Sequence, residues 1–325
     1  MRALLCRQWG EPETLTLEDV PAPQVSAGKV RVRVRACGVN YADTLMIAGK
    51  YQVKPPLPFS PGFEIAGEVL EVGEGVRHVQ PGDKVIALSD YGGCAEEAVV
   101  PAGMVMARPS MMDDVQAAAF PVAYGTSHVG LARRAHLQVG ETLLVFGAAG
   151  GVGLTAVELG KLMGATVIAC ASSPEKLQVA AQYGADHLID YSKENVRERV
   201  KELTDGKGAD VIYDPVGGAL FDEAMRCIAW EGRLLVIGFA GGTIPQLPVN
   251  LALVKNCAVV GVYWGAYGAR KPEVLINSLV TLMGWYTQGK LKPHISQTYP
   301  LDKAADAMRA LLERRSTGKV VITTD

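Results

Sequence analysis

The sequence predicts an α/β protein of two domains: a small β-rich barrel, and a doubly wound parallel sheet covered by helices. Three observations predict it. Short runs that alternate apolar and polar residues, punctuated by Pro and Gly, fill residues 29–109. From residue 141 the pattern becomes strand, turn and helix, repeated. Within it, residues 143–153 read LLVFGAAGGVG, an apolar strand running into a glycine-rich turn ahead of helical spacing in LTAVELGKLMGA. A chain of 325 residues is also long for one core.

KVRVRVRA (29–36) alternates valine and arginine, a strand with one wet face. EIAGEVLEVG (64–73), QPGDKVIAL (80–88) and EEAVVPAGMVMARP (96–109) supply further short strands. Residues 113–135 have helical periodicity broken around Pro121. The parallel strands are expected at 142–146, 166–171, 187–191, 210–217, 233–239 and 257–264, with helices between most of them. Helical stretches at 273–290 and 303–315 precede a last strand, KVVITT (319–324). The expected division is 1–122, 123–266, and a return of 267–325 to the first domain.

Composition narrows the function. Hydrophobic residues make up 49% and charged residues 20%, with a net charge of −2 and no block of five or more Lys or Arg. Nucleic acid is not expected as the main partner. No apolar run has the length of a membrane span, and MRALLCRQWGEPE turns polar too early for a secretory signal. Cys6, Cys37, Cys94, Cys170, Cys227 and Cys257 form no C-x-x-C pair, and the five histidines are scattered. Buried thiols in a reducing cytoplasm are expected, without disulfides or a zinc cage.

The glycine turn fits a dinucleotide fingerprint read as A-A-G-G-V-G, Ala148 to Gly153, with alanine in place of the first glycine. Gly150 would let the backbone approach a pyrophosphate and Gly153 would let the helix pack on the strand. Ala149, Gly150, Gly151, Val152 and Gly153 are the expected phosphate cradle, at a helix N-terminus. A plain structural turn is the bland reading. The second strand ends in Ala171, Ser172, Ser173, with Lys176 following and no acid to repel a ribose 2′-phosphate. This predicts NADPH over NADH. Ser-Ser-Pro-Glu as a helix cap, with Lys176 on a wet face, explains the same letters; both can hold together.

The ordered set CGVNYADTLMIAGKY, PGFEIAGEV, VGEGV…PGDKV, PVAYGTS, VFGAAGGVG, YDPVGG, VIGFAGG and RRSTGKVVI runs nearly end to end. In it the sequence resembles the medium-chain dehydrogenase/reductase superfamily, and within that the zinc-independent, zeta-crystallin-like quinone oxidoreductases, closest to the quinone oxidoreductase-like branch. The resemblance implies a Rossmann domain and a GroES-like barrel domain. Metal-dependent members carry a Gly-His-Glu motif whose histidine binds zinc. Here the match is Gly62-Phe63-Glu64, Asn40 stands where a cysteine ligand would, and the four-cysteine lobe is missing. No metal is therefore expected.

The resemblance also implies the site. Asn40 and Tyr51 match substrate-pocket positions and are the expected catalytic donors to an acceptor oxygen, with Tyr41 a weaker candidate. An Asx turn for Asn40 and a wall position for Tyr51 are the structural readings. Thr126, Phe239, Ala240, Gly241, Tyr263 and Trp264 are expected around the cofactor, the last two ending the final sheet strand; ordinary packing is the rival. Tyr191, Lys176 and Arg314 match 2′-phosphate contacts, with Arg315 one residue off. Glu64 and Asp43 are expected to be structural. The implied activity is zinc-independent hydride transfer from NADPH to quinones. The enzyme alternative is an alkenal, enone or enoyl-thioester double-bond reductase, and the alternative of another class is a non-catalytic NADPH-binding sensor or structural protein. CAVVGVYW (257–264) reads as an apolar edge strand, which predicts a homodimer through it.

Overall fold

The computed structural model describes residues 1–324. The chain forms two compact units, Met1–Val122 with the chain from Pro293 onward, and Ala123–Lys292.

In the first unit the chain runs β1 (Arg2–Leu5), β2 (Thr16–Asp19), β3 (Lys29–Val39), α1 (Tyr41–Ile47), β4 (Glu64–Val72), β5 (Lys84–Leu88), β6 (Glu97–Pro101), β7 (Val105–Ala107) and α2 (Asp114–Ala119). The alternation of β3 is realised: Val30, Val32 and Val34 are buried, while Arg31 turns outward to Glu71 on β4 and Glu97 on β6 at 2.8 and 3.3 Å. Bulges against β4 near Arg31 and Val34 interrupt the register of this long strand. α3 (Pro121–His128) begins on the proline that the sequence marked as a break.

The second unit continues with β8 (Thr142–Val145), α4 (Gly151–Leu162), β9 (Thr166–Ala171), α5 (Pro174–Gln182), β10 (His187–Asp190), α6 (Val196–Leu203), β11 (Ala209–Asp214), α7 (Ala219–Cys227), β12 (Ile228–Val236), α8 (Val249–Lys255), β13 (Ala258–Gly261), α9 (Tyr267–Arg270) and α10 (Pro272–Thr287). Its six strands are all parallel, in the order β10-β9-β8-β11-β12-β13. The order reverses between β8 and β11, the switch point where such sheets bind ligands beyond the C-terminal strand ends.

The chain then returns as β14 (Ile295–Pro300), α11 (Ala304–Leu312) and β15 (Lys319–Thr323). β14 and β15 join the first unit's seven-stranded sheet, ordered β14-β15-β3-β4-β5-β7, with β6 on β3. The return lies at Pro293, not at the expected 267. α10 belongs to the second unit, where Ser278 meets His128 Nδ1 at 2.8 Å and Trp285 lies edge-on to the same ring. A second correction concerns β13: it ends at Gly261, so Tyr263 and Trp264 follow the strand and do not end it.

Candidate cofactor and substrate sites

The glycine turn links β8 to α4. Gly147 adopts φ +57°, a left-handed conformation that favours glycine. Its carbonyl accepts from Gly150 N at 2.9 Å, and Ala148 N reaches Cys170 O on β9 at 3.0 Å. A β-carbon on Gly153 would stand 2.1 Å from Gly147 O, so the helix packs here only on glycine. The structure therefore assigns the turn glycine to Gly147, correcting the reading that began at Ala148; the working set is Gly147, Gly150 and Gly153. Gly150 is the N-cap of α4 and no side chain caps that end. First-turn N–H groups of Gly151, Val152 and Gly153 are thus without a side-chain cap, an arrangement that can hold an anion.

Buried hydroxyls that sequence reasoning missed hold this end in place. Ser127 Oγ lies 2.9 Å from Val152 O, 2.8 Å from Thr155 Oγ1 and 2.9 Å from Tyr213 OH. Burial pushes the Tyr213 hydroxyl well up, which keeps it neutral. Beside Ser127, Thr126 is buried. A β-carbon on Gly125 would come within 2.6 Å of the Trp264 ring, so that indole seats directly on α3. Trp264 is 7% exposed with no partner for Nε1 among the described residues, and Tyr263 is 45% exposed.

The other strand ends converge on the same edge of the sheet. β9 delivers Ser172 and Ser173; Ser173 caps α5, its Oγ accepting from Lys176 N at 3.4 Å. The capping reading therefore holds. Tyr191 is half-buried, with its N–H on Ala171 O at 3.1 Å. An acid does stand near, one strand over: Asp190 ends β10 in register with Ala171. Its Oδ1 accepts from Ser192 N and Oγ at 3.0 and 2.5 Å, while Oδ2 lies 3.5 Å from Lys193 Nζ with no hydrogen bond among the described residues; the Ser192 bonds hold the carboxyl below the usual carboxylate range. At the end of β11, Asp214 Oδ1 accepts from Val216 N and Gly217 N at 2.9 Å, and burial pushes its carboxyl up. The Phe239–Gly241 stretch packs on that turn through Ala240 N to Pro215 O and Gly241 N to Val216 O at 3.0 and 2.8 Å.

In the first unit Asn40 is 8% exposed. Its Nδ2 donates to Glu64 Oε1 at 2.9 Å and Gly38 O at 3.3 Å, and its Oδ1 accepts from Lys319 Nζ at 2.6 Å. Both amide hydrogens expected to face an acceptor oxygen are used inside the protein. Lys319, unforeseen in the sequence, also donates to Val39 O at 2.9 Å and Glu64 Oε1 at 2.7 Å, which satisfies all three of its hydrogens. Glu64 Oε2 accepts from Val122 N at 2.8 Å. Asp43 takes Asn40 N and Gly62 N at 2.8 and 2.9 Å; burial pushes its carboxyl up to about 7 against those two bonds and the Lys319 charge. Tyr51 is half-buried, edge-on to Phe63 with ring centroids 5.6 Å apart. Arg314 is exposed at φ +56° after α11, in the first unit; Arg315 pairs with Glu313. Among the described residues no group of three or more His, Cys, Asp or Glu could hold a metal ion. No helix among them is long and apolar enough to cross a membrane.

Residues 26–110 match the alcohol dehydrogenase GroES-like domain, and residues 151–280 the zinc-binding dehydrogenase family. The sea anemone Nematostella vectensis has a quinone oxidoreductase-like protein 2 homolog that is 47% identical over 99% of this chain and 89% of its own. The Escherichia coli quinone oxidoreductase complexed with NADPH superposes with a TM-score of 0.93 at 29% identity, over 100% of both chains. The CurK enoyl reductase superposes at 0.90 with 26% identity, over 100% of this chain and 99% of its own. With Phe63 and Asn40 at the ligand positions, the chain belongs to the medium-chain dehydrogenase/reductase family, as an oxidoreductase of its zinc-independent, quinone oxidoreductase-like branch.

Proposed function

We propose that the protein is an NADPH-dependent reductase of quinones. The observation that carries the cofactor choice is the end of β9, where Ser172, Ser173 and Lys176 stand and no acid ends the strand itself. A charge-assisted bond is worth about 1.5–3 kcal/mol, so one contact to a 2′-phosphate favours NADPH roughly tenfold or more. Bound NADPH supplies the hydride, from the nicotinamide ring. The chain's own residues do the rest. The end of α4 and the Gly147–Gly153 turn hold the pyrophosphate, fixed from behind by Ser127, Thr155 and Tyr213. Thr126, Phe239, Ala240, Gly241, Tyr263 and Trp264 frame the nicotinamide side. Tyr51 offers a flat ring and a hydroxyl to a planar acceptor. Asn40, with its amide bound to Glu64 and Lys319, positions the start of α1.

The likeness to an enoyl reductase favours a second reading, reduction of an enone or enoyl thioester with the same parts. β13 ends the parallel sheet with an unpaired edge, which supports a homodimer through it; a monomer mass in sedimentation would refute that. The free thiols suit a reducing cytoplasm.

The test is a fluorescence titration of metal-stripped protein with NADPH and NADH, followed by 1,4-benzoquinone and 9,10-phenanthrenequinone. Tight NADPH binding, weaker NADH binding and quinone-dependent oxidation are expected. Binding without quinone turnover but with enone turnover would move the assignment to the second reading. Binding with no acceptor at all would make it a nucleotide-binding protein without catalysis.

A further inference from the structure

The second unit carries an open cavity of about 600 Å³ where β11 and β12 begin, at the sheet end opposite the glycine turn. Arg197 and Lys201 on α6, Lys207 in the following loop, Arg226 at the end of α7 and Lys255 on α8 line it, together with Trp230 on β12. No carboxylate lines it, and none of the five cations is in an ion pair among the described residues. In a chain of net charge −2, that concentration of positive charge is a local device. We propose that this cavity is a second anion site, which binds a linear phosphate chain such as that of a nucleoside triphosphate or of inorganic polyphosphate.

Helix dipoles do not explain the cluster. Lys201, Arg226 and Lys255 stand in last helical turns, where cations are favourable, and Lys255 Nζ closes the end of α7 through Arg226 O and Ile228 O at 2.9 and 3.0 Å. Arg197 stands in the first turn of α6, where a cation is disfavoured. It is also four residues from Lys201, so two like charges share one helix face. Glu223 accepts from the backbone N of Arg197 at 3.4 Å. Lys207 lies on a fixed loop. Asp205, Gly206 and Gly208 have φ of +50°, +83° and +88°, and a β-carbon on Gly208 would lie 2.4 Å from Cys227 O. Thr204 Oγ1 accepts from Gly208 N at 2.9 Å and donates to Val200 O at 2.7 Å.

Arg197, Lys207 and Arg226 are exposed and Lys201 is half-buried, and four cations together fit several phosphates bidentately and electrostatically. Trp230 is 63% exposed, a flat surface on which a nucleobase can stack. The cavity borders the first residues of β11 and β12, whereas the nucleotide loops follow their last residues. Six residues of strand separate the two edges by roughly 17 Å.

The test uses the whole protein in its native oligomeric state, with the dinucleotide site saturated by NADPH. Calorimetry follows the binding of ATP and of inorganic triphosphate, and tryptophan quenching is compared with that of Trp230→Phe. Saturable binding of triphosphate that weakens with salt is expected, with Lys201→Ala and Arg226→Ala each weakening it about tenfold. Arg226 is exposed and Lys201 half-buried, and unchanged melting curves check the fold. Tighter ATP binding, lost with its quench in Trp230→Phe, would identify a nucleotide; equal affinities would identify inorganic polyphosphate. No saturable binding at millimolar ligand, competition by NADPH, or affinities unmoved by both alanine variants would overturn the site.

Discussion

Gly153→Ala and Gly150→Ala separate two roles of one turn. At Gly153 the new methyl would lie 2.1 Å from Gly147 O, 2.8 Å from Gly147 C and 3.1 Å from Ala148 Cα, all backbone atoms. The turn and α4 must part by roughly 1.2 Å to reach van der Waals contact. Such over-packing costs about 1–3 kcal/mol, a fall in Tm of about 2–12 °C. The first-turn N–H groups move with the helix, and losing one charge-assisted bond weakens NADPH by about 10–100-fold. At Gly150 the methyl would meet only Gly147 O, at 3.3 Å, and φ is −81°. The apoprotein then keeps its Tm within about 2 °C, helped by a less flexible unfolded chain. That methyl nevertheless stands on the face a pyrophosphate approaches, so binding falls by about the same factor. Differential scanning fluorimetry with and without NADPH reads both effects. A Gly153→Ala protein with unchanged Tm would refute the packing argument. A Gly150→Ala protein that binds NADPH normally would refute the cradle.

Three further outcomes are expected. Lys176→Ala raises the Kd for NADPH about tenfold and leaves NADH unchanged; equal effects on both would remove Lys176 from the 2′-phosphate. Lys319→Met strands the buried Glu64 charge and costs about 3–5 kcal/mol, while Lys319→Met with Glu64→Gln costs less. A double variant as unstable as the sum of the singles would show that the two groups are uncoupled. Asp43, raised from an ordinary 3.8 to about 7 mainly by burial, keeps its proton in the folded state where the unfolded chain has lost it. Its contribution is therefore full below about pH 4 and lost as pH rises through about 7. Asp43→Asn should flatten stability against pH in that window, and parallel curves for the two proteins would exclude the assignment.

What the sequence revealed depends on whether the partners of a residue lie near it in the chain. The β-α alternation is local, so the parallel sheet was legible before its order was known. Valines at every second position of β3 declared their own buried face. The glycine turn was legible as a turn, but glycine spacing alone does not show which carbonyl Gly153 must approach; that contact assigned the turn to Gly147. The sequence does not show where the chain returns to the first unit, because α10 is amphipathic in either setting and its contacts with His128 decide where it belongs.

Asn40 was read from its amide, which can donate to any acceptor. The acceptors it uses are Gly38 and Glu64, and the cation on its oxygen comes from Lys319, 279 residues away. Lys319 reads in the sequence as the first residue of an ordinary last strand, and nothing in KVVITT marks a buried ammonium. Pairing β15 with β3 brings it onto Val39, and the reserved carboxylate of Glu64 then makes its burial tolerable. The motif Gly62-Phe63-Glu64 thus keeps an acid beside a position that can no longer ligate, and in this chain that acid has a lysine as its counter-ion. If this network holds Asn40 in place, Lys319→Arg should retain more activity than Lys319→Met, because a second cation can still reach both oxygens. Equal losses would mean that Lys319 serves only the fold, and Asn40 would then have to be tested as a free donor.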